Sequence, residues 1–481
     1  MPRILPRSTP EAEGVSPAAL LAFFRALDEL DSVHSLMIMR HGRVIAEAWK
    51  KPYAPELPHM LFSLSKSFTS SAVGFACAEG KLSLDARLID LFPDKLPEHL
   101  DEKFERMRIR HLLAMDSGHN HCTMDDMAPA ADWEKAFFAA APAFEPGTHF
   151  CYNSGATYML ASAVVRATGM GLRDYLRPRL FDPLGIAYHD WELSPAGIEV
   201  GGWGFNLTTE EIASFAQCLL DHGMRDGKQI LPPDYLDQAV SVQSDNSSND
   251  QPDWKVGYGF QFWRCRHNAF RGDGAFGQYC LVLPEQDAVL AINSGLGDMQ
   301  QVLNEVWTNL LPGIRSSALP ADASAQARLA GKLSKLALRT VAGARSSEAA
   351  QQILGKTFTF DDNEKGLQAL TLSSDAKGFS LAIRNAHGEQ RLDCGMDQWT
   401  PGQLTFEKNL TTPIDTTNGK QPVAASGAWL APDLYQAVVY FRETPYRLTL
   451  TLRFKDDRLY LDLDYNVMFG PKKKWSLIGR P

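Results

Sequence analysis

Ser63 and Lys66 stand three residues apart in the run Phe62-Ser63-Leu64-Ser65-Lys66-Ser67-Phe68. On a helix, positions i and i+3 share a face, so the Lys66 amine can reach the Ser63 hydroxyl. If Ser63 opens that helix, the positive end of the dipole favours negative charge on its oxygen. A buried, neutral lysine can take the hydroxyl proton, and a charged one lowers the cost of the alkoxide. The neighbours Phe62, Leu64, Phe68, Ala72 and Phe75 are apolar or small, as a buried helix start requires. The spacing alone fits equally a Ser-rich helix end whose lysine snorkels to water. Ser374-Asp375-Ala376-Lys377 has the same spacing. It reads as a hairpin turn, with neither dipole nor burial to offer, and so as structural.

A second run raises the chemical reading of the first. Glu145-Pro146-Gly147-Thr148-His149-Phe150-Cys151-Tyr152-Asn153-Ser154-Gly155 sets a Pro-Gly turn and an aromatic-rich loop before a helix start near 156. Tyr152 on such a loop can face a nucleophile across a cleft. Close to a cationic lysine its phenol pKa is expected to fall, which would make it a general base. Ser154 is the expected N-cap of the helix, which leaves Tyr152 free for that role.

The elements that must hold these groups are also legible. Ser16 caps a helix over 18–30 with Pro17 at its first position. Strands follow over 35–39 and 44–48, turned by His41-Gly42-Arg43. Helices are expected over 63–78, ended by Gly80, and over 156–167, ended by Gly169. Strands are expected over 259–264, 278–284 and 289–294, then a helix over 299–311. Residues 316–350 are rich in Ala and Ser and read as a connector, with a helix over 323–338 capped by Asp322. Beyond 353 the texture becomes short alternating runs (367–372, 379–383, 437–441, 448–454, 459–465), the pattern of a small antiparallel β sandwich or barrel.

The chain has 481 residues, 44% hydrophobic and 22% charged, with a net charge of −9. This composition suits a globular protein of more than one domain and argues against a broad nucleic-acid or anionic-membrane surface. No apolar run reaches the ~18 residues of a membrane span. The N-terminal Met1-Pro2-Arg3-Ile4-Leu5-Pro6-Arg7 lacks the apolar stretch of a secretory signal, so a cytoplasmic enzyme is expected. The seven cysteines are widely spaced without a Cys-x-x-Cys pair and are expected to be reduced.

These motifs together resemble the serine β-lactamase and penicillin-binding protein superfamily, in its class C β-lactamase-like branch with the family VIII carboxylesterases. Besides Ser63-Leu64-Ser65-Lys66 and Tyr152, the likeness rests on several stretches in matching order: Gly80-Lys81-Leu82-Ser83-Leu84-Asp85, Arg110-His111-Leu112-Leu113 leading to Ser117-Gly118, Pro146-Gly147-Thr148, and Pro183-Leu184-Gly185. It spans about residues 8–310. The resemblance implies an α+β fold: an antiparallel sheet flanked by helices, beside a helical lobe, with the cleft between them. The expected organisation is a β-lactamase-like hydrolase domain over 1–315, the connector over 316–350 and the C-terminal β-domain over 351–481.

The resemblance also implies roles. The oxyanion would be held by the backbone amides of Ser63 and Ala275. Where the family has Tyr-x-Asn, the chain has Tyr152-Asn153-Ser154, so Ser154 takes the place of the amide, and it and Asn153 are expected to bind substrate. Where the family has Lys-Thr-Gly or His-Thr-Gly on the cleft strand, the chain has Gly272-Asp273-Gly274, a run that also fits a plain β-turn. The usual cation is absent, and Asp273 stands in place of a hydroxyl. Arg271, Arg264 or His267 is expected to supply the charge, with Gly274 leaving room for the backbone. Trp203, Trp254 and Trp263 are candidates for an acyl pocket. His119-Asn120-His121-Cys122 with Asp125 and Asp126 is too compressed for common zinc spacing and reads as a polar loop beside the cleft. No metal or cofactor is expected. The implied activity is acyl transfer through Ser63 to water, on a carboxylic ester or a small amide. A β-lactamase or D-alanyl peptidase, and a non-catalytic binding protein, are the alternatives.

Overall fold

The computed structural model describes residues 5–30, 32–187, 189–375, 378–386, 388–405 and 420–481. The first residues of the chain, and Ala376 and Lys377 of the second Ser-x-x-Lys run, lie outside them.

Ser16 Oγ accepts from the Ala19 amide and opens α1 (Pro17–Glu29) with proline in its first turn. Two strands follow, β1 (Val33–Arg40) and β2 (Arg43–Trp49). Their turn places both His41 and Gly42 at positive φ. Much later in the chain come β3 (Trp263–Arg264), β4 (Phe270–Gly274), β5 (Gln278–Leu283) and β6 (Ala288–Ser294). Together they form a six-stranded antiparallel sheet of order β2-β1-β6-β5-β4-β3. Every residue of β1, β4, β5 and β6 is buried, so both faces of the sheet must be covered.

Alternate residues serve the two faces. Leu36, Ile38, Leu290 and Ile292 pack with Leu20, Phe23 and Leu27 of α1 and with Val302 and Leu303 of the helix Gln300–Glu305. Met37, Met39, Val289 and Ala291 pack with Phe68 and Ala72 of α2 (Ser65–Ala78) and Ile212 and Phe215 of a helix at Thr209–Leu220. The helical lobe is built around α2 and α3 (Ser154–Thr168), the latter ended by Gly169 at φ +72°.

Three expectations change. The helix expected from residue 63 begins with a 3-10 turn, Phe62–Leu64, and becomes α-helical at Ser65. The strand expected over 259–264 is confined to Trp263–Arg264, because the Phe260 and Gln261 carbonyls accept from Ser70 Oγ and Ser67 Oγ of α2 instead of a neighbouring strand. Gly272-Asp273-Gly274 is part of a fully buried strand and not a turn.

After the helix Ala323–Leu333, capped by Asp322, ten antiparallel strands between Thr357 and Arg480 form one sheet. Its first strand pairs with its last, and its two edge strands, Gly388–Cys394 and Thr400–Thr405, lie against each other, so the sheet is a nearly closed barrel. Along Arg458–Tyr465 the buried positions alternate with more open ones, and Leu459, Leu461, Leu463 and Tyr465 face the interior.

The barrel grips the first sheet beside the nucleophile turn. The Met60 amide donates to Glu443 O at 2.8 Å and the Tyr53 hydroxyl to Thr444 O at 3.0 Å. Asn466 Nδ2 donates to Gly295 O at 2.9 Å. Among the described residues no helix is long and apolar enough to cross a membrane.

Candidate active site

Ser63 sits in the 3-10 turn, behind Phe62, whose φ is +48°. A bulky residue rarely adopts that region, and such strain concentrates at functional turns. Lys66 follows one turn later and is only 1% exposed. Its Nζ lies 3.0 Å from Ser63 Oγ, 3.0 Å from Ser154 Oγ and 2.7 Å from Gly202 O. Burial pulls the amine down to about 7, against the upward pull of Cys122 and Asp273. A neutral amine here donates to Gly202 O and Ser154 Oγ, which leaves its lone pair for the Ser63 hydroxyl. The geometry can therefore generate an alkoxide on Ser63.

Tyr152 stacks on Trp263, with ring centres 5.4 Å apart, and meets Tyr258 edge-on. Ser63 is near enough to exert a lowering influence on the pKa of the Tyr152 phenol. The expected fall of its pKa is not found. Burial, then the Asp273 carboxylate, push the phenol far above its ordinary value, and the lowering influence of Ser63 does not offset them. Lys66 Nζ lies over the ring, 4.9 Å from its centre. Tyr152 is thus a proton donor at neutral pH and not a ready base.

Ser154 reaches Lys66, but Asn153 does not line the cleft. Its side chain is the N-cap of α3: Oδ1 accepts from the amides of Gly155 and Ala156 and from Thr123 N and Oγ1. Asn153 is fully buried, so the substrate-binding role expected of it, and the capping role expected of Ser154, are both corrected.

Strand β4 runs directly under the nucleophile turn. A Cβ on Gly274 would lie 1.9 Å from Leu61 O, and one on Gly272 would lie 2.5 Å from Leu64 Cδ1 and Ser67 Oγ. Both glycines are required for this approach, which sets Gly274, the neighbour of Ala275, against Leu61 and Leu64 on either side of Ser63. Between them Asp273 is 7% exposed. Burial raises its pKa, while Arg271 and Lys66 oppose the rise. Arg271 Nε donates to Asp273 Oδ2 at 2.8 Å, and Nη1 donates to Asp253 O and Cys265 Sγ. The guanidinium lies over Trp254, 4.1 Å from the ring centre.

Arg271 is fully buried and neutralised by Asp273, so it is not the free cation expected of it. Arg264 is tied to Val240 O and Asn268. His267 does not supply the charge either: it packs at a tilt against Trp307 in the exposed turn joining β3 and β4, at the opposite end of β4 from Gly274. Trp254 and Trp263 border the site, whereas Trp203 packs against Trp133 in the helical lobe.

The sequence reading missed the Gly202 carbonyl. Gly201 at φ +68°, with Thr157 O and Thr69 Oγ1 near its missing Cβ, turns the loop into the site. The run Gly201-Gly202-Trp203-Gly204 was the available signal. Cys122 was read as loop, and its Sγ accepts from the Ser154 amide at 3.3 Å. Beside it, His119 is held by Ser117 Oγ and Ala140 O, and His121 faces Asp126. Among the described residues no group of three or more metal-ligating side chains is found.

Comparison with known proteins places these features. A solved penicillin-binding protein homologue from Caulobacter crescentus superposes with a TM-score of 0.50 at 17% identity, covering 62% of this chain and 99% of the homologue, which shows the shared fold. The chain is 23% identical over 305 residues to a 6-aminohexanoate-dimer hydrolase of Paenarthrobacter ureafaciens, 58% of this chain and 76% of the relative. It is 28% identical over 167 residues to a D-aminopeptidase of Brucella anthropi, 31% of each chain. The beta-lactamase family model matches residues 25–341, across the whole six-stranded sheet, the helical lobe and the Ser63–Lys66 turn, and the chain belongs to the β-lactamase family, whose members among its relatives are hydrolases.

Proposed function

We propose that the protein is a serine hydrolase that forms an acyl-enzyme on Ser63 and acts on an uncharged carboxylic ester or small amide. The observation that carries this reading is the Lys66 amine, buried, titrating near neutrality and 3.0 Å from the Ser63 hydroxyl.

In the first step neutral Lys66 takes the hydroxyl proton as Ser63 Oγ bonds to the substrate carbonyl carbon. The backbone amides of Ser63 and Ala275 stabilise the oxyanion. Collapse of that intermediate breaks the bond to the leaving alkoxide or amine. The Tyr152 phenol supplies its proton and is reprotonated from Lys66. A water molecule then attacks the ester of Ser63 and gives its proton to Lys66, which passes it to Ser63 Oγ as the bond to the acyl carbon breaks, releasing the acid and restoring the hydroxyl and the neutral amine.

The substrate class follows from β4. The Arg271 guanidinium is buried and ion-paired with Asp273, so it is not offered to a substrate carboxylate. That disfavours β-lactams and carboxylate-ended peptides. Relatives named as a 6-aminohexanoate-dimer hydrolase and a D-aminopeptidase keep the amide within the proposed range.

The test is intact-mass spectrometry with peptide mapping after a fluorophosphonate probe, on wild type and Ser63→Ala. One adduct on Ser63, absent in the variant, is expected. A folded wild type that takes no adduct would reverse the proposal and favour a binding role.

A further inference from the structure

We infer that the barrel supplies a wall of the reacting pocket, and that Phe469 limits the size of group a substrate can carry beside the oxyanion position. This rests on the serine-hydrolase reading above and names what sets its specificity.

Phe469 lies between the last two barrel strands, Arg458–Tyr465 and Lys474–Arg480. Its ring centre is 5.7 Å from Phe62 and 5.0 Å from Phe276. Those residues are the chain neighbours of the two groups proposed to hold the oxyanion: Phe62 precedes Ser63, and Phe276 follows Ala275. Phe62 and Phe276 meet edge-on at 5.4 Å, and Tyr446 of the barrel lies behind both. All three belong to the core of the barrel and not to that of the hydrolase sheet.

Phe62 and Phe276 are buried at φ +48° and +67°. Aromatic residues do not hold that conformation without surrounding contacts, and the barrel provides them. Phe469 differs from the others in being 51% exposed, the outermost ring of the cluster. It covers Phe62 and Phe276, and about half of it remains exposed beside the turn that carries Ser63 and the end of β4 that carries Ala275.

The loop is fixed. Asn466 Nδ2 donates to Gly295 O and Pro445 O, each at 2.9 Å. A Cβ on Gly295 would lie 2.2 Å from Pro445 O, so the two backbones touch. Beyond Phe469, Gly470 turns the chain at φ +77°, and the Lys473 amide donates to Met468 Sδ at 3.1 Å. A large apolar side chain held rigidly at the edge of a reacting centre acts by excluding volume, as pocket walls do.

The test compares kcat/KM for p-nitrophenyl acetate, butyrate and octanoate in wild type, Phe469→Leu and Phe469→Ala. Truncating the ring is expected to raise the octanoate-to-acetate ratio about tenfold or more in Phe469→Ala, with Phe469→Leu between, the scale set by apolar pocket contacts. Because the ring is half-exposed, both variants are expected to fold, and thermal melting checks this. A ratio within about twofold of wild type, or a lower one, in a folded variant of an active enzyme overturns the inference while leaving the serine hydrolase intact. A wild type that neither turns over acetate nor labels at Ser63 overturns the underlying reading, and this inference with it.

Discussion

A lysine in water keeps its proton to about pH 10.4. Lys66, buried against Gly202 O, gives it up near 7. The neutral form is the base, so acylation should gain rate as pH rises through that value. For a small ester, kcat/KM is expected to climb about tenfold per pH unit below 7 and level off above it. Lys66→Arg keeps the charge but cannot lose it, and should cost about 10²–10⁴-fold in kcat/KM. A pH profile flat from 6 to 8 would contradict the assignment. The Arg271–Asp273 pair behaves differently, because it is a matter of stability. Removing only the guanidinium, in Arg271→Met, leaves a buried carboxylate unpaired and is expected to cost about 3–5 kcal/mol in urea unfolding. Arg271→Met with Asp273→Asn should recover most of that loss. If the double variant is no more stable than the single one, the pair is not what holds β4.

The nucleophile turn and β4 act as one unit, since they are in backbone contact. Gly274→Ala puts a methyl against Leu61 O. The strand or the turn must then move. Overpacking of this kind costs about 1–3 kcal/mol. A shift near 1 Å at the reacting centre can cost about 10²-fold in rate. Gly274→Ala is therefore expected to lose activity well out of proportion to its lowered melting point, and a variant that lost only stability would argue against the coupling. The start of α3 was only partly legible in the sequence. A cap followed by a helix was visible in Asn153-Ser154, but either residue satisfies the rule, and the choice depends on Thr123, thirty residues away. With Asn153 holding the cap, Ser154 turns its hydroxyl to Lys66. Likewise nothing in the sequence marks Ser67 and Ser70, whose hydroxyls hold the carbonyls of Gln261 and Phe260.

At the scale of the molecule, the join between barrel and hydrolase sheet carries a buried histidine pair. His34 Nδ1 lies 3.2 Å from His59 Nε2, and His34 stacks on Tyr53, whose hydroxyl donates to Thr444 O in the barrel. Burial drives the His59 pKa down to about 4, and lowers His34 as well. The unfolded chain protonates these rings near 6.5, before the folded one does. Stability at this join is thus complete above pH 6.5 and is lost as pH falls towards 4. For His59 the loss is about 3 kcal/mol over that window. His59→Asn is expected to flatten the stability profile in this range. If it left the acid limb unchanged, the pair would not be the source.

The sequence by itself determined what depends on near neighbours along the chain. The three-residue step from Ser63 to Lys66, the capped first helix, the alternating strands of the barrel and the family resemblance all follow from local periodicity and short motifs. The tertiary structure decided what depends on environment. Tyr152 keeps its proton because Trp263, Tyr258 and Asp273 surround it. Arg271 is unavailable because its partner is the acid two residues on, on the same side of a strand buried on both faces. His267 falls in the turn of the β3–β4 hairpin, and only the docking of the other end of β4 under the nucleophile turn decides that this end lies away from Ser63. Phe469, more than four hundred residues after Ser63, reaches Phe62 only because the barrel docks there. Burial and charge pairing act through space over a few ångströms, and proximity of that kind is set by the fold and not by order along the chain.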